Sequence, residues 1–324
     1  MDIYVKKAII HQFSPDDTDL YLADKFLNIT PKIEEYLRKK IERVYSDEAR
    51  TGIFEEDNPF LELISDDLLE TSVAVANRWK EEFVVSENQK TNDLVFIQFS
   101  KEGVDHFAFL RIALRETLTH LGGEFDNPIK LTQNNLPGFG TGADEALVIN
   151  LQSRKYHLIE KRIKYNGTFL NYFSENLLQA QPKISPKKSI KALEKTAQKI
   201  AESFNTDDFQ FQSKVKSAIF NHIEEENKLS PEKLADDLFD DNLTARLSFI
   251  DQVKEAVPEP VTFEEIDASR QLKKFENQKL SLSNGIELIV PNNVYEDAES
   301  VEFILNENGT YSILIKNIED IQSK

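Results

Sequence analysis

At 324 residues, with 40% hydrophobic residues and 22 Phe, the chain can fill more than one core and suits two domains better than one. It holds no Cys, which excludes a disulfide framework, a thiolate nucleophile and Cys-ligated zinc. The net charge is −18, from 57 acidic and 39 basic residues, so any attraction to phosphate backbones needs local basic surfaces inside an acidic whole.

The N-terminal run has too few apolar residues for a signal peptide, and no stretch nears the roughly 18 uninterrupted apolar residues of a membrane span. A soluble, cytoplasmic chain with no membrane partner is the expectation. Residues 3–13 are rich in β-branched side chains and predict a strand. Ser14-Pro15-Asp16-Asp17 is a turn, and Leu20 and Leu22 alternate after it, so a hairpin opens the protein. Thr30-Pro31 starts a helix with Ile33, Leu37, Ile41 and Val44 on one stripe. A second long helix follows Ser65, with Leu69, Val73, Ala76, Trp79 and Phe83 on one face.

Residues 94–99 and 104–114 read as a second hairpin joined by Lys101-Glu102-Gly103. A polar loop over 122–143 precedes a strand at 146–151, a basic strand at 154–165 and a helix at 168–180 carrying Phe169, Phe173 and Leu177. Gln181-Pro182-Lys183-Ile184-Ser185-Pro186 is the best boundary. Helix starts follow at Ser185-Pro186, Thr206-Asp207-Asp208 and Ser230-Pro231, and Thr262 with Glu265 forms a capping box. Residues 280–290 and 301–316 alternate as strands, the second broken by a turn at 306–309. The predicted class is α+β. A mainly antiparallel sheet with packed helices fills 1–181, and a mainly helical domain over 182–324 ends in a small antiparallel sheet with a terminal β-hairpin.

Few residues invite catalysis. Gly138-Phe139-Gly140-Thr141-Gly142 lacks both the preceding strand and the following helix of a dinucleotide fingerprint, and reads as a mobile loop. The five His (His11, His106, His120, His157, His222) show no ligand spacing, and no metal site is expected from them. Adjacent acids such as Asp236-Asp237 and Asp240-Asp241 are ordinary in so acidic a chain and mark solvated faces. A two-carboxylate hydrolase or two-metal nuclease stays open as a minor alternative. Residues 231–239 and 242–255 are spaced like a helix-turn-helix, but Arg246 and Lys254 are offset by Asp251 and Glu255, which argues against base readout.

Two basic segments stand out. The first holds Arg154, Lys155, Lys161, Arg162 and Lys164, with Tyr156 and Tyr165 interleaved as stacking surfaces. The second places Lys187, Lys191, Lys195 and Lys199 at every fourth residue, one stripe of a helix that begins near Pro186. Either could track phosphates, and either could be a solvated face. From residue 182 onward there are 18 basic and 27 acidic residues, so both halves carry −9 and neither is a basic arm.

Three stretches carry a family resemblance. Val44-Tyr45-Ser46 is followed by Gly52-Ile53-Phe54. Lys155-Tyr156 leads on to Phe169-Leu170-Asn171-Tyr172-Phe173. Leu272-Lys273-Lys274-Phe275 precedes the strand at 280–290. Together with the length and the opening order of elements, they resemble the bacterial nucleoid-associated protein family, the YejK-like family. The resemblance implies association with the bacterial chromosome, no catalytic residues and no cofactor. DNA would be reached directly, through phosphates and the nine basic residues above, or through a DNA-bound protein that docks on an acidic interaction module. Self-association suits an architectural role, although no heptad or exposed apolar stripe marks an interface.

Overall fold

In the computed structural model, which describes residues 2–16, 18–84, 90–120, 129–165, 167–206, 208–263 and 265–322, the chain divides into two compact units, Met1–Ser185 and Pro186–Lys324. The first is built on strands β1 (Ile3–Ser14), β2 (Asp19–Tyr21), β3 (Arg50–Ile53), β4 (Asn92–Lys101) and β5 (Val104–Ala113), with helices α1 (Pro31–Glu42) and α2 (Leu68–Phe83) between them. A ribbon of β6 (Arg115–His120) and β7 (Ile129–Asn135) follows. Then come β8 (Glu145–Asn150), β9 (Lys155–Ile159), β10 (Ile163–Tyr165) and β11 (Thr168–Leu170). Seven strands form one antiparallel sheet in the order β2-β1-β4-β5-β8-β9-β3.

Both faces of that sheet are covered. Leu37 and Ile41 of α1 pack on Val95, Ile97, Ala108 and Leu110. Val75, Ala76, Trp79 and Phe83 of α2 pack on Leu94, Phe96, Phe107 and Phe109 of the opposite face. Two-sided burial explains why residues 94–97 are apolar without alternation. The β4–β5 hairpin is tight because Glu102 and Gly103 both take positive φ (53° and 83°), the backbone that a two-residue turn requires.

Three expectations are corrected in this region. The basic strand at 154–165 breaks after Ile159, and its second part, β10, folds back on β11. The helix at 168–180 is replaced by β11 and a single π-turn, Phe173–Leu177, because Gly167 (φ +77°) reverses the chain and commits 168–170 to strand pairing. Within the loop placed at 122–143, residues 129–135 are strand β7, paired with β6; 122–128 lie outside the described residues.

The second unit begins with α3 (Pro186–Ser203) and α4 (Phe209–Glu226). A short β12 (Lys228–Leu229), α5 (Pro231–Leu238) and α6 (Leu243–Ala256) follow, then β13 (Val261–Thr262) and α7 (Ser269–Phe275). Asp208, Ser230 and Asn242 accept the first free backbone N–H groups of their helices, at 2.7, 3.4 and 3.0 Å. The capping box at Thr262 is not formed. Thr262 pairs with Lys228 in a two-residue ladder, and the next helix starts only at Ser269. Leu193, Ala197, Ile219, Leu234, Phe249 and Phe275 share one core. The chain closes on β14 (Asn277–Ser281) with β15 (Glu287–Pro291), the short helix α8 (Asn292–Tyr295), and β16 (Val301–Leu305) with β17 (Tyr311–Ile315). These strands form two separate antiparallel hairpins, so the fold is α+β throughout.

Candidate nucleic-acid interface

The first basic segment lies where β9 leaves the sheet. Arg154, held at φ +60°, pairs with Glu56 at 3.0 Å. Lys161 donates to Asp144 at 2.6 Å. Burial would push the Asp144 carboxyl up, but the Lys161 bond and the Ala113 N–H outweigh it and hold the group below its ordinary value. Arg162 donates to the Phe169 carbonyl at 3.0 Å, and its guanidinium lies 5.9 Å from the centre of that ring. Lys155 and Lys164 are exposed, and each takes part in an interaction of its own. Glu160, in the middle of the stretch, accepts from Arg50 and from the Ser174 N–H and hydroxyl. Exposed Tyr165 and Phe169 complete a small cationic and aromatic hairpin.

Other cations of this unit are spent inside it. Arg111 donates to Glu145 at 2.6 Å and to Asn92 at 2.9 Å. Glu145 also accepts from the Tyr172 hydroxyl, which in turn accepts from the Trp79 indole at 3.0 Å. Burial first, then the Glu145 charge, pushes the Tyr172 phenol well above its ordinary value. With Glu145 fully buried, this is an internal ion pair rather than a site open to ligands. Lys40 is buried as well. Its ammonium takes the carbonyls of Pro137, Gly138 and Thr141 at 3.3, 2.9 and 2.5 Å. Burial, with repulsion from Arg43 and Arg115 and against the pull of Asp144, brings Lys40 down to about 8. The glycine loop expected to be mobile is therefore pinned to α1, and its carbonyls face a cation, the opposite polarity from a phosphate cradle.

His11 is a satisfied core residue. Ser72 Oγ donates to the Leu69 carbonyl (2.8 Å), so it accepts from His11 Nε2 (2.9 Å), while the Ala23 N–H donates to Nδ1 (3.1 Å). That fixes the neutral Nε2–H tautomer. His222 binds Asp237 at 2.7 Å on an exposed surface, and among the described residues no cluster of three His, Asp or Glu is arranged to hold a metal ion.

The second basic segment is different. Helix α3 buries Ser189, Ile190, Leu193, Ala197, Ile200 and Ala201 on one side. At 100° per residue, Lys187, Lys188, Lys191, Lys195 and Lys199 fall within one opposite arc of about 120° and along about 18 Å of axis. All five are exposed. Lys199 donates to Gln252 of α6 at 3.0 Å, and Lys187 also has an interaction. Lys188, Lys191 and Lys195 make no side-chain hydrogen bond or ion pair among the described residues. Glu194, just outside the arc, is answered by Lys274 of α7 at 3.3 Å. Glu202 lies on the same arc, three residues beyond Lys199, and accepts from Gln198 at 3.2 Å.

Sequence reasoning left Lys188 out of the stripe, although its 100° offset from Lys187 already placed it on the arc. Lys274 carried no such signal, being 80 residues from Glu194. The helix-turn-helix spacing yields no reading head: Arg246 of α6 is bound to Asp236 of α5 at 2.9 Å.

Residues 9–321 match the model of the family described as nucleoid-associated protein YejK. The chain belongs to this family. Membership supports a nucleoid-associated role, and among the described residues no helix is long and apolar enough to cross a membrane. No curated protein matches the chain. The stretches that carry the resemblance are largely structural. Val44 and Tyr45 are buried, with Tyr45 4.6 Å from the His157 ring. A Cβ at Gly52 would collide with the Tyr156 ring, which packs on Phe54 at 4.4 Å. Phe275 is fully buried under the Lys274 ammonium, 4.2 Å from its ring centre.

Proposed function

We propose that this member of the family is a non-enzymatic protein of the cytoplasmic nucleoid that binds duplex DNA weakly and without strong sequence preference. The main contact is the exposed face of α3, with Lys187, Lys188, Lys191, Lys195 and Lys199 on successive phosphates. Arg162 and Lys164 on the β10–β11 hairpin, flanked by Arg154, Lys155 and Lys161, form a secondary contact that must exchange internal partners for phosphates. One observation carries this reading: three neighbouring lysines without partners among the described residues, on one helix face, in a chain of net charge −18.

Binding of the purified protein to generic duplex DNA across roughly 50 to 200 mM salt tests it. Affinity that falls steeply with salt is the expected result, the slope counting the phosphates engaged. The acidity of the chain favours a second reading, recruitment by a DNA-bound protein. No binding at the lowest salt, with nucleoid association that survives nuclease digestion, would replace the first reading with this one.

A further inference from the structure

Helix α7 turns Gln271 and Phe275, one turn apart, into the interior, with Leu272 packed against the same core. At 100° per residue, Arg270, Lys273 and Lys274 then fall within about 100° of arc on its other side. All three are exposed. The Lys274 ammonium lies 3.3 Å from the Glu194 carboxylate of α3 and 4.2 Å from the centre of the Phe275 ring, so the cationic face of α7 adjoins the lysine arc of α3. Arg270 and Lys273 make no side-chain hydrogen bond or ion pair among the described residues. Asp267, the acid that precedes the helix, accepts from the Ser269 N–H at 3.0 Å. The Ser269 bonds, ahead of the charges of Arg270 and Lys273, hold that carboxyl below its ordinary value. Glu276 is the C-cap residue and falls outside the arc.

We propose that α7 is a second phosphate-contacting element beside α3, with Arg270 and Lys273 as its contacts and Lys274 as the positioning residue that neutralises Glu194 where the two helices meet. The inference rests on the reading of α3 as the main DNA contact, and it extends that surface to a helix separated from it by more than sixty residues of chain. Glu194 is the reason the junction matters. A carboxylate beside the lysine arc would repel a phosphate backbone that approached both helices, and the Lys274 ammonium cancels that charge. An exposed ion pair of this kind adds little to stability, so its consequence lies in the field at the surface. Removing Lys274 therefore subtracts one cation and uncovers one anion, whereas removing Lys273 only subtracts a cation. The lysine that already has a partner is thus the one whose loss weakens binding more.

Binding of full-length variants to generic duplex DNA, across roughly 50 to 200 mM salt, tests the proposal. Each phosphate contact contributes about 0.9 to the slope of log affinity against log salt, so Arg270→Gln with Lys273→Gln should make the slope shallower by about 2. An unchanged slope, in a protein that loses binding when Lys188, Lys191 and Lys195 become Glu, overturns the second element and leaves α3 standing. An α3 variant that binds like the wild type removes the reading on which both depend. Lys274→Met should weaken binding more than Lys273→Met does, and adding Glu194→Gln to Lys274→Met should bring the affinity back to that of Lys273→Met or better. A loss that Glu194→Gln leaves untouched would make Lys274 a packing residue on Phe275 and overturn its part in binding.

Discussion

Residues 154–165 and helix α3 each hold five basic residues, yet the fold treats them in opposite ways. In the first, Arg154, Lys161 and Arg162 are bound to Glu56, Asp144 and the Phe169 carbonyl, and the segment bends so that Glu160 can hold Arg50. In α3 the lysines share an exposed arc; the acid flanking it, Glu194, is occupied by a lysine from another helix, and the one on it, Glu202, by Gln198. A positive charge is available to a phosphate only when no carboxylate lies within reach in three dimensions. On α3 the four-residue spacing sets lysine beside lysine, whereas on α1 the same spacing pairs Arg38 with Glu42 and Lys39 with Glu35.

The largest expected effect that separates spent charges from available ones comes from Arg111. Its replacement by Met leaves the Glu145 carboxylate buried without its cation and should cost about 3–5 kcal/mol of stability, read from urea unfolding. The salt dependence of DNA binding should stay unchanged. Replacing Glu145 as well should recover much of the loss, and a change in the salt slope would break the division between the two sets of cations.

A smaller effect concerns pH. Burial lowers the His11 pKa below its ordinary 6.5, so between that value and the folded one the unfolded chain binds the extra proton. Stability is therefore full above pH 6.5, falls as pH drops through that window, and levels off below the folded pKa. His11→Gln can still donate to Ser72 but cannot take up the proton, so its unfolding midpoint should lack that part of the decline. Identical profiles for the two proteins would show that His11 is not a source of the pH dependence.

Much of this was legible in the sequence, for reasons of range. The β4–β5 hairpin, the starts of α3 to α5 and the lysine stripe depend on residues a few positions apart, where periodicity and capping operate. The split of 154–165 turned on Gly167, and the π-turn at 173–177 on packing of Tyr172 and Phe173 against α2 and the sheet. Arg111 with Glu145, Lys40 with the 137–141 carbonyls, and Lys274 with Glu194 join residues 34 to 101 positions apart, beyond any local pattern. Charge counting saw two equal basic segments because the partners that distinguish them come from elsewhere in the chain.

Charge reversal on each surface in turn tests the central claim most directly, with binding to generic duplex DNA followed through the same salt series. Lys188, Lys191 and Lys195 changed to Glu should abolish retention at about 50 mM salt, while Lys161, Arg162 and Lys164 changed to Glu should weaken it by only a few-fold. Loss confined to the second variant, with the α3 variant binding like the wild type, would contradict the assignment of the helix as the phosphate-contacting face.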